Sequence, residues 1–490
     1  SPGPAPPSSP RTEGTGSAAV RGDDREPGSS DGSGATARKR PRPVVAAATC
    51  AVGLGIAMFD NTAVMVALPS LGDSLGSTVS GLQWVAAATS LAAAAVLPFS
   101  GAIGDRYGAR RAVRIGLAVF ALGAVAAAVG PALPWLLAAR ICQGAGIALM
   151  LPNGAALLQA NVSDADRSRT FGTWISVSSI GLISGPVAGG WLVGELGWRS
   201  IFLVPVPLAL LGALGTLRLV ERTSPAGREK RLDLGGSAVA GLGLASLCWA
   251  LIEFGRADGD MVLATACLVA SAAVFAALVP VERRASMPAI DLALLRNRTY
   301  VAVMVSCLLY NATTTGGAFL VSLLLQDARG FGAAETGWII LVATIGMPFG
   351  GQLTGRLAQG GSLRRLMAGA ITVLALAYVL VSVLALGPLA WIAAPLLFTG
   401  FASGVLYSGD TLAVLGTVDP GKTASGLAAL SLVRQVGAVL GIAVLGSFSA
   451  LAERVHLVDL GLRAGLLMAG LSVVPGVLLL LRHLPRRSAA

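Results

Sequence analysis

Charge is scarce in this chain. Asp, Glu, Lys and Arg make up 12% of its 490 residues, against roughly 25% in soluble proteins. With 54% hydrophobic residues and a mean hydropathy of +0.74, this excludes a soluble domain and points to an all-α polytopic membrane protein. Histidine is nearly absent. His456 and His483 both fall in or beside loops, which argues against a histidine metal site or proton relay inside the membrane. The five cysteines (Cys50, Cys142, Cys248, Cys267, Cys307) lie within apolar segments without metal-ligand spacing, and read as small packing residues. Aromatics are only 5% of the chain. Trp84, Trp135, Trp191, Trp198, Trp338 and Trp391 lie near segment ends or loops, the positions of an interfacial belt. No Gly-x-x-x-x-Gly-Lys-Ser/Thr run occurs, which argues against an ATP-driven pump. Neither a metal nor an organic cofactor is expected.

What the chain does have is apolar length. Fourteen segments run near 44–68, 81–103, 112–130, 134–159, 171–193, 200–220, 235–254, 261–279, 299–325, 335–357, 366–386, 389–414, 425–447 and 462–481. Each is about 20 residues, the length that crosses a ~30 Å hydrocarbon core. Residues 1–37 are rich in Pro, Gly, Ser and charge and, with the basic cluster Arg38, Lys39, Arg40 and Arg42 that follows, read as a disordered cytoplasmic tail over 1–43.

The net charge of +11 and isoelectric point near 10.2 would suit a nucleic-acid partner if the basic residues clustered on one face. They do not. Arg106, Arg110, Arg111, Arg114, Arg218, Arg222, Arg228, Lys230, Arg231, Arg283, Arg284, Arg296, Arg298, Arg356, Arg364 and Arg365 fall in alternate connections, whereas the others hold only Arg199, Arg256, Arg329, Arg454 and Arg463. This asymmetry predicts that both termini are cytoplasmic.

The chain also repeats itself. Pro98-Phe99-Ser100-Gly101 precedes Arg106 and Arg110-Arg111, and Pro348-Phe349-Gly350-Gly351 precedes Arg356 and Arg364-Arg365. Gly355 stands where the first copy has Asp105, so the second copy is degenerate. The expected organisation is a six-helix half over 44–220, two inserted helices over 221–298, a second six-helix half over 299–481 and a tail over 482–490, a duplication known in secondary transporters.

Segment 171–193 concentrates residues that weaken soluble helices, where an interior Gly costs about 1 kcal/mol and an interior Pro about 3 kcal/mol. Gly172, Gly181, Gly185, Pro186, Gly189 and Gly190 instead suit a membrane helix that packs tightly against neighbours and bends at one place. Their spacing resembles the antiporter motif of drug exporters in the major facilitator superfamily. Gly101-Ala-Ile-Gly-Asp105-Arg106-Tyr-Gly108-Ala-Arg110 resembles the superfamily's loop motif, with Ala109 in place of a usual basic residue. Leu136-x-x-x-Arg140-x-x-Gln143-Gly144-x-Gly146 is similar to its buried-arginine motif. Phe59-Asp60-Asn61-Thr62-Ala63-Val64-Met65-Val66-Ala67-Leu68-Pro69 is similar to the motif of the fourteen-helix drug:proton antiporter branch, with Met65 for a usual Asn.

Ionisable groups inside a bilayer are costly and face a cavity or a partner. On the expected boundaries Asp60 lies about 13 Å, and Arg140 about 9 Å, from the outer ends of their helices. They suit either proton coupling or a fixed structural ion pair. Asp410 and Arg434 form a second candidate set toward the cytoplasmic side, while Glu253 reads as interfacial. Asp105 of the loop motif reads as a latch, paired with an arginine or a helix N-terminus. Asn61, Thr62, Asn153, Asn311 and Thr313-Thr314-Thr315 add neutral polarity, part of it spent on helix carbonyls. Phe319 and Tyr407 are expected to line a largely aliphatic cavity for a bulky, amphipathic substrate.

The resemblance implies a proton-coupled antiporter in the cytoplasmic membrane, exporting drug-like or antibiotic molecules by alternating access. It would work as a monomer, take its energy from the proton gradient and bind no nucleic acid. Uptake or exchange of a small metabolite on the same fold, and a non-transporting membrane sensor, stay open as alternatives.

Overall fold

The computed structural model describes residues 3, 43–161, 167–219, 234–256, 259–284, 294–357, 363–418, 423–453 and 458–484. The expected tail at 1–43, apart from residues 3 and 43, and most of both linkers around the inserted helices lie outside the described residues. Fourteen apolar helices follow one another, with no strand among the described residues. The first five are α1 (Pro43–Leu75), α2 (Val79–Tyr107), α3 (Ala109–Val129), α4 (Leu133–Ala160) and α5 (Arg167–Leu196). α6 is formed by Ser200–Leu203 and Pro205–Leu219, and the inserted pair is α7 (Leu234–Gly255) and α8 (Met261–Arg284). α9 (Arg298–Leu323) ends in a π turn, Leu324–Ala328. Then come α10 (Ala333–Leu357), α11 (Leu363–Leu384), α12 (Leu389–Leu415), α13 (Thr423–Glu453) and α14, formed by Val458–Ser472 and Val474–His483.

Twelve of these are long and apolar enough to cross a membrane, and α7 and α8 carry shorter apolar stretches, Gly241–Gly255 and Met261–Ala277. One boundary changes an argument. α1 continues past Leu68 to Leu75, so Asp60 lies about 22 Å from that end at 1.5 Å per residue, near mid-helix.

Lipid gives apolar helices little reason to associate, so close backbone approach must hold them. In the first half a Cβ on Gly181 would strike the Gly55 carbonyl, one on Gly185 would strike Thr62, and one on Gly189 would stand 3.0 Å from Ala63. The counterpart in the second half is α13 on α9, where Gly441 meets Ala312 and Gly316 meets Gly441. α3 and α4 cross at Gly116 and Gly146, and α10 and α12 at Gly346, Gly350 and Gly400.

The duplication also survives at atomic detail. Arg110, second residue of α3, donates to the carbonyl of Leu217, two residues before the end of α6. Arg364, second residue of α11, donates to the carbonyl of Leu481, two residues before the end of α14. Each guanidinium satisfies an orphan carbonyl and opposes the negative end of a helix dipole.

The inserted α7 touches both halves. Trp249 packs on Trp84 of α2 with ring centroids 5.5 Å apart, and Ser447 of α13 donates to the Leu251 carbonyl at 3.0 Å. α8 is tied to α7 by Ser246 and Ser271, which donate to the carbonyls of Cys267 and Gly243 at 2.8 Å each. Glu253, two residues from the end of α7, is buried within the protein. It accepts from Arg256 at 3.1 Å and from the Asp260 amide at 3.1 Å, closing the α7–α8 turn. Trp135, Trp191, Trp338 and Trp391 are exposed as a belt requires, but Trp198 is buried against Phe202. Its indole fills the α5–α6 turn instead.

If backbone approach sets the packing, a side chain at a crossing must cost more than one on a free face. A Cβ on Gly146 would stand 2.7 Å from the Gly116 carbonyl and the Phe120 amide nitrogen, whereas one on Gly101 would meet nothing within 4 Å. Gly146→Val is therefore expected to lose at least the 1–3 kcal/mol typical of overpacking (about that order). Gly101→Ala is expected to stay within about 0.5 kcal/mol of the parent. Apparent unfolding temperatures of the purified variants in one detergent check the contrast.

Candidate functional site

A cavity of about 350 Å³ lies between the two six-helix halves. Its walls come from α1, α2, α4 and α5 on one side and from α9 to α13 on the other. The lining surface is mostly apolar, with Tyr310, Tyr378 and Tyr407 as its aromatic part, but Ser, Thr and Asn side chains are interspersed throughout. Tyr407 was expected there. Phe319 is fully buried away from the cavity, because its helix turns that face into the protein core.

Asp60 and Arg140 meet on the first wall. Nη1 of Arg140 donates to both carboxylate oxygens, at 2.7 Å and 2.8 Å, with the side chains only 3% and 2% exposed. Gln143, one turn along α4, accepts from the same Nη1 at 3.0 Å and donates to Asp60 at 3.3 Å. Nε of Arg140 donates to the Val85 carbonyl at 3.3 Å, and the Phe202 ring lies 5.8 Å away. A charge pair taken out of water is tolerated only when its remaining polar atoms find partners, and here α1, α2 and α4 supply them.

The second set is arranged differently. Arg434 of α13 lies over the Tyr407 ring, 3.7 Å from its centroid. Its Nη2 donates to the Tyr407 carbonyl at 2.8 Å and to the Thr411 hydroxyl at 3.1 Å. Asp410 is fully buried, does not line the cavity, and stands beside the Cys307 thiol within electrostatic reach of Arg434. Asp410 and Arg434 therefore share a region without forming a salt bridge. Asp410 lies close to the end of α12 and Arg434 about three turns into α13, so they differ in depth as well as in facing.

At the end of the cavity remote from the basic loops the halves close on each other. Gln83 donates to the carbonyls of Ile442 and Ala443 at 3.0 Å and 3.1 Å. Ser322 donates to the Met65 carbonyl at 2.5 Å, and Gln326 to the Val66 carbonyl at 3.0 Å. α5 completes the closure. A Cβ on Gly190 would stand 2.5 Å from the Ala333 carbonyl of α10, and one on Gly337 of α10 would strike the Pro186 carbonyl. All of these contacts join the first half to the second.

A cavity between two glycine-packed, duplicated six-helix halves matches a known family. The Major Facilitator Superfamily model covers residues 50–442. The chain belongs to the major facilitator superfamily. It is thus a multi-pass membrane transporter of small molecules, not an enzyme. Multidrug resistance protein Stp of Mycobacterium tuberculosis is 34% identical over 407 residues, covering 81% of this chain and 74% of the relative. Methylenomycin A resistance protein of Streptomyces coelicolor is 30% identical over 406 residues, covering 81% and 83%. The crystal structure of the POT family transporter PepTSo superposes with a TM-score of 0.67 over 90% of this chain and 97% of its own. At 13% identity that likeness is one of fold.

The superfamily motifs divide between the described and the undescribed. In the loop motif, Gly108 joins α2 to α3 at a φ of 88°, a conformation that favours glycine. Arg106 is exposed beside the Tyr107 ring, and Arg110 reaches α6 as described. The latch expected of Asp105 falls on a side chain outside the described residues, as do the surroundings of Gly172. α5 runs as one helix through Pro186. Its motif has two faces: Gly181, Gly185 and Gly189 pack on α1 within the half, and Pro186 and Gly190 meet α10 across the halves.

Several participants escaped sequence reading, among them Gln143, Gln83, Ser322, Gln326 and Gly337. Gln143 stood inside a quoted motif, and its i, i+3 spacing from Arg140 was the available signal. Gln83 and Gly337 carried no signal in one sequence, since each acts only through the opposite half. Among the neutral residues, Asn153 and Asn311 donate to carbonyls of their own helices, at 2.9 Å each, as expected for part of the set.

The ion pair makes a stability prediction. Asp60→Ala leaves a buried, unpaired guanidinium and is expected to cost about 3–5 kcal/mol, as is Arg140→Ala for the stranded carboxylate. The double variant should lose clearly less than the sum of the two. A double-mutant cycle on apparent unfolding temperature measures this, and strict additivity would show that the two groups do not interact.

Proposed function

We propose that this transporter is a proton-coupled antiporter that exports amphipathic, drug-like or antibiotic molecules by alternating access, as a monomer. The observation that carries the reading is the Asp60–Arg140 pair on the cavity wall. A carboxylate facing both an arginine and a substrate cavity has two ways to satisfy its charge, pairing or protonation. A proton arriving from outside neutralises Asp60 and loosens its hold on Arg140. Return of the pair accompanies release of that proton to the cytoplasm. Asp410 is the second candidate carboxylate, and its position behind the cavity wall gives it the lesser part. The relatives named for multidrug and antibiotic resistance support export over uptake.

On this reading the basic-loop face is cytoplasmic, which makes the end sealed by Gln83, Ser322, Gln326 and the α5–α10 seam the outer gate. The cavity then faces the cytoplasm, ready to load. The loop from Gly101 to Arg110 would brace the cytoplasmic side when it closes. The proton gradient supplies the energy, so no nucleotide or cofactor takes part.

Two measurements test this. Asp60→Asn is expected to abolish protonophore-sensitive efflux across a drug panel in a pump-deficient host while reaching the membrane at the parent's level. Asp410→Asn should retain most of it. Full efflux by Asp60→Asn at equal expression removes Asp60 from the coupling role. Separately, Gly190→Val should hold the outer gate apart, lowering efflux at least tenfold (about 1.4 kcal/mol of gating energy). An unchanged rate would show that the seam does not gate.

A further inference from the structure

Three of the residues lining the cavity are charged: Asp60, Arg140 and Arg434. The first two neutralise each other through two hydrogen bonds at 2.7 Å and 2.8 Å. Arg434 has no such partner. It is held in one orientation by the Tyr407 ring beneath it and by the bonds of Nη2 to the Tyr407 carbonyl and Thr411. Nε has no hydrogen-bond partner and is buried in the wall, and the Cys307 thiol lies against the guanidinium. Asp410 stands behind the lining, within electrostatic reach of the guanidinium but without a salt bridge to it. The lining therefore carries one positive charge whose neighbouring carboxylate is behind the wall, and that charge is fixed in an otherwise neutral and mostly apolar surface.

We infer that the transported molecules are amphipathic organic anions, and that Arg434 is the residue that binds their acidic group. A guanidinium in a low-dielectric cavity suits a carboxylate, sulfonate or phenolate, and its planar shape favours a planar two-oxygen group. A cation of the same shape meets no carboxylate on the walls other than Asp60, which is held by Arg140. The aromatic surfaces of Tyr310 and Tyr378 and the apolar part of the lining accept the ring system to which the acidic group is attached. A volume near 350 Å³ falls within the range of drug-sized sites. The inference rests on the transport reading above and narrows it to a substrate class.

The test compares two xanthene dyes of like size and opposite charge, anionic fluorescein and cationic pyronin Y. Both are titrated by fluorescence polarisation against the full chain in lipid nanodiscs. The parent is expected to bind fluorescein at least tenfold more tightly than pyronin Y, about the size of one charge-assisted hydrogen bond. Arg434→Gln should lose that preference, and Arg434→Lys should keep part of it, since charge remains without the fork. Equal binding of the two dyes, tighter binding of pyronin Y, or no saturable binding of fluorescein by the parent overturns the inference without any variant. So does unchanged fluorescein affinity in Arg434→Gln. If that variant does not fold, Arg434→Lys and the parent decide between them. Protonophore-sensitive efflux of cations but not anions would remove the substrate class while leaving proton-driven export in place. Fluorescein binding without protonophore-sensitive efflux would do the reverse.

Discussion

Apolar helices in lipid gain almost nothing from the hydrophobic effect by touching one another, so the arrangement of this protein depends on how closely backbones approach. Glycine is the residue that permits it, and the chain has 63. The crossings at Gly55–Gly181, Gly116–Gly146 and Gly316–Gly441 fix helix pairs within a half at distances where dispersion and weak backbone contacts act over long stretches. Once these pairs are rigid, the side chains between the halves are left to form a cavity and a gate. A helix packed through leucine would stand farther off and leave that cavity leaky.

Against this background the charged groups are the exception that needs support. Asp60 and Arg140 are surrounded by Gln143, Val85 and Phe202 because a bare ion pair at mid-membrane would be expensive. Arg434 takes the other solution, with an aromatic face and a carbonyl instead of a carboxylate. The two halves descend from one repeat, as the matching bonds of Arg110 to Leu217 and Arg364 to Leu481 indicate. They have nevertheless diverged where the chemistry is: a bonded ion pair on one wall, and on the other an arginine whose neighbouring carboxylate, Asp410, stands behind the lining without a salt bridge to it.

Much of this was legible in the sequence. Fourteen segments were visible because the bilayer imposes a length on each, and an Asp60–Arg140 ion pair stood as one of two readings of two costly intramembrane charges. What escaped was whatever depends on rotation about a helix axis. Phe319 and Tyr407 look alike as aromatics in apolar segments, yet one is in the core and the other on the cavity. Arg434 lines the cavity whereas Asp410 turns behind its wall. The extent of α1 escaped as well, because Pro69 and the polar residues Ser70 and Asp73 suggest an end where the helix in fact continues to Leu75. A membrane helix already formed and packed carries a proline within it, since neighbours and the bilayer keep the remaining hydrogen bonds.

The proposed coupling has a physical route through α1. Asp60 faces the cavity, while Thr62 and Ala63, one half-turn on, are the residues against which Gly185 and Gly189 of α5 pack. The Met65 carbonyl, less than two turns from Asp60, accepts the Ser322 hydroxyl from the second half. A change in how tightly Asp60 holds Arg140 thus acts on the helix that also bears the α5 contact and one of the outer clasps. α5 in turn carries Gly190 against α10. Glycine contacts on both faces transmit such a shift because they leave no side chain to absorb it by changing rotamer. A motif with glycine on one face alone would hold α5 to α1 and leave the outer seam indifferent to the proton.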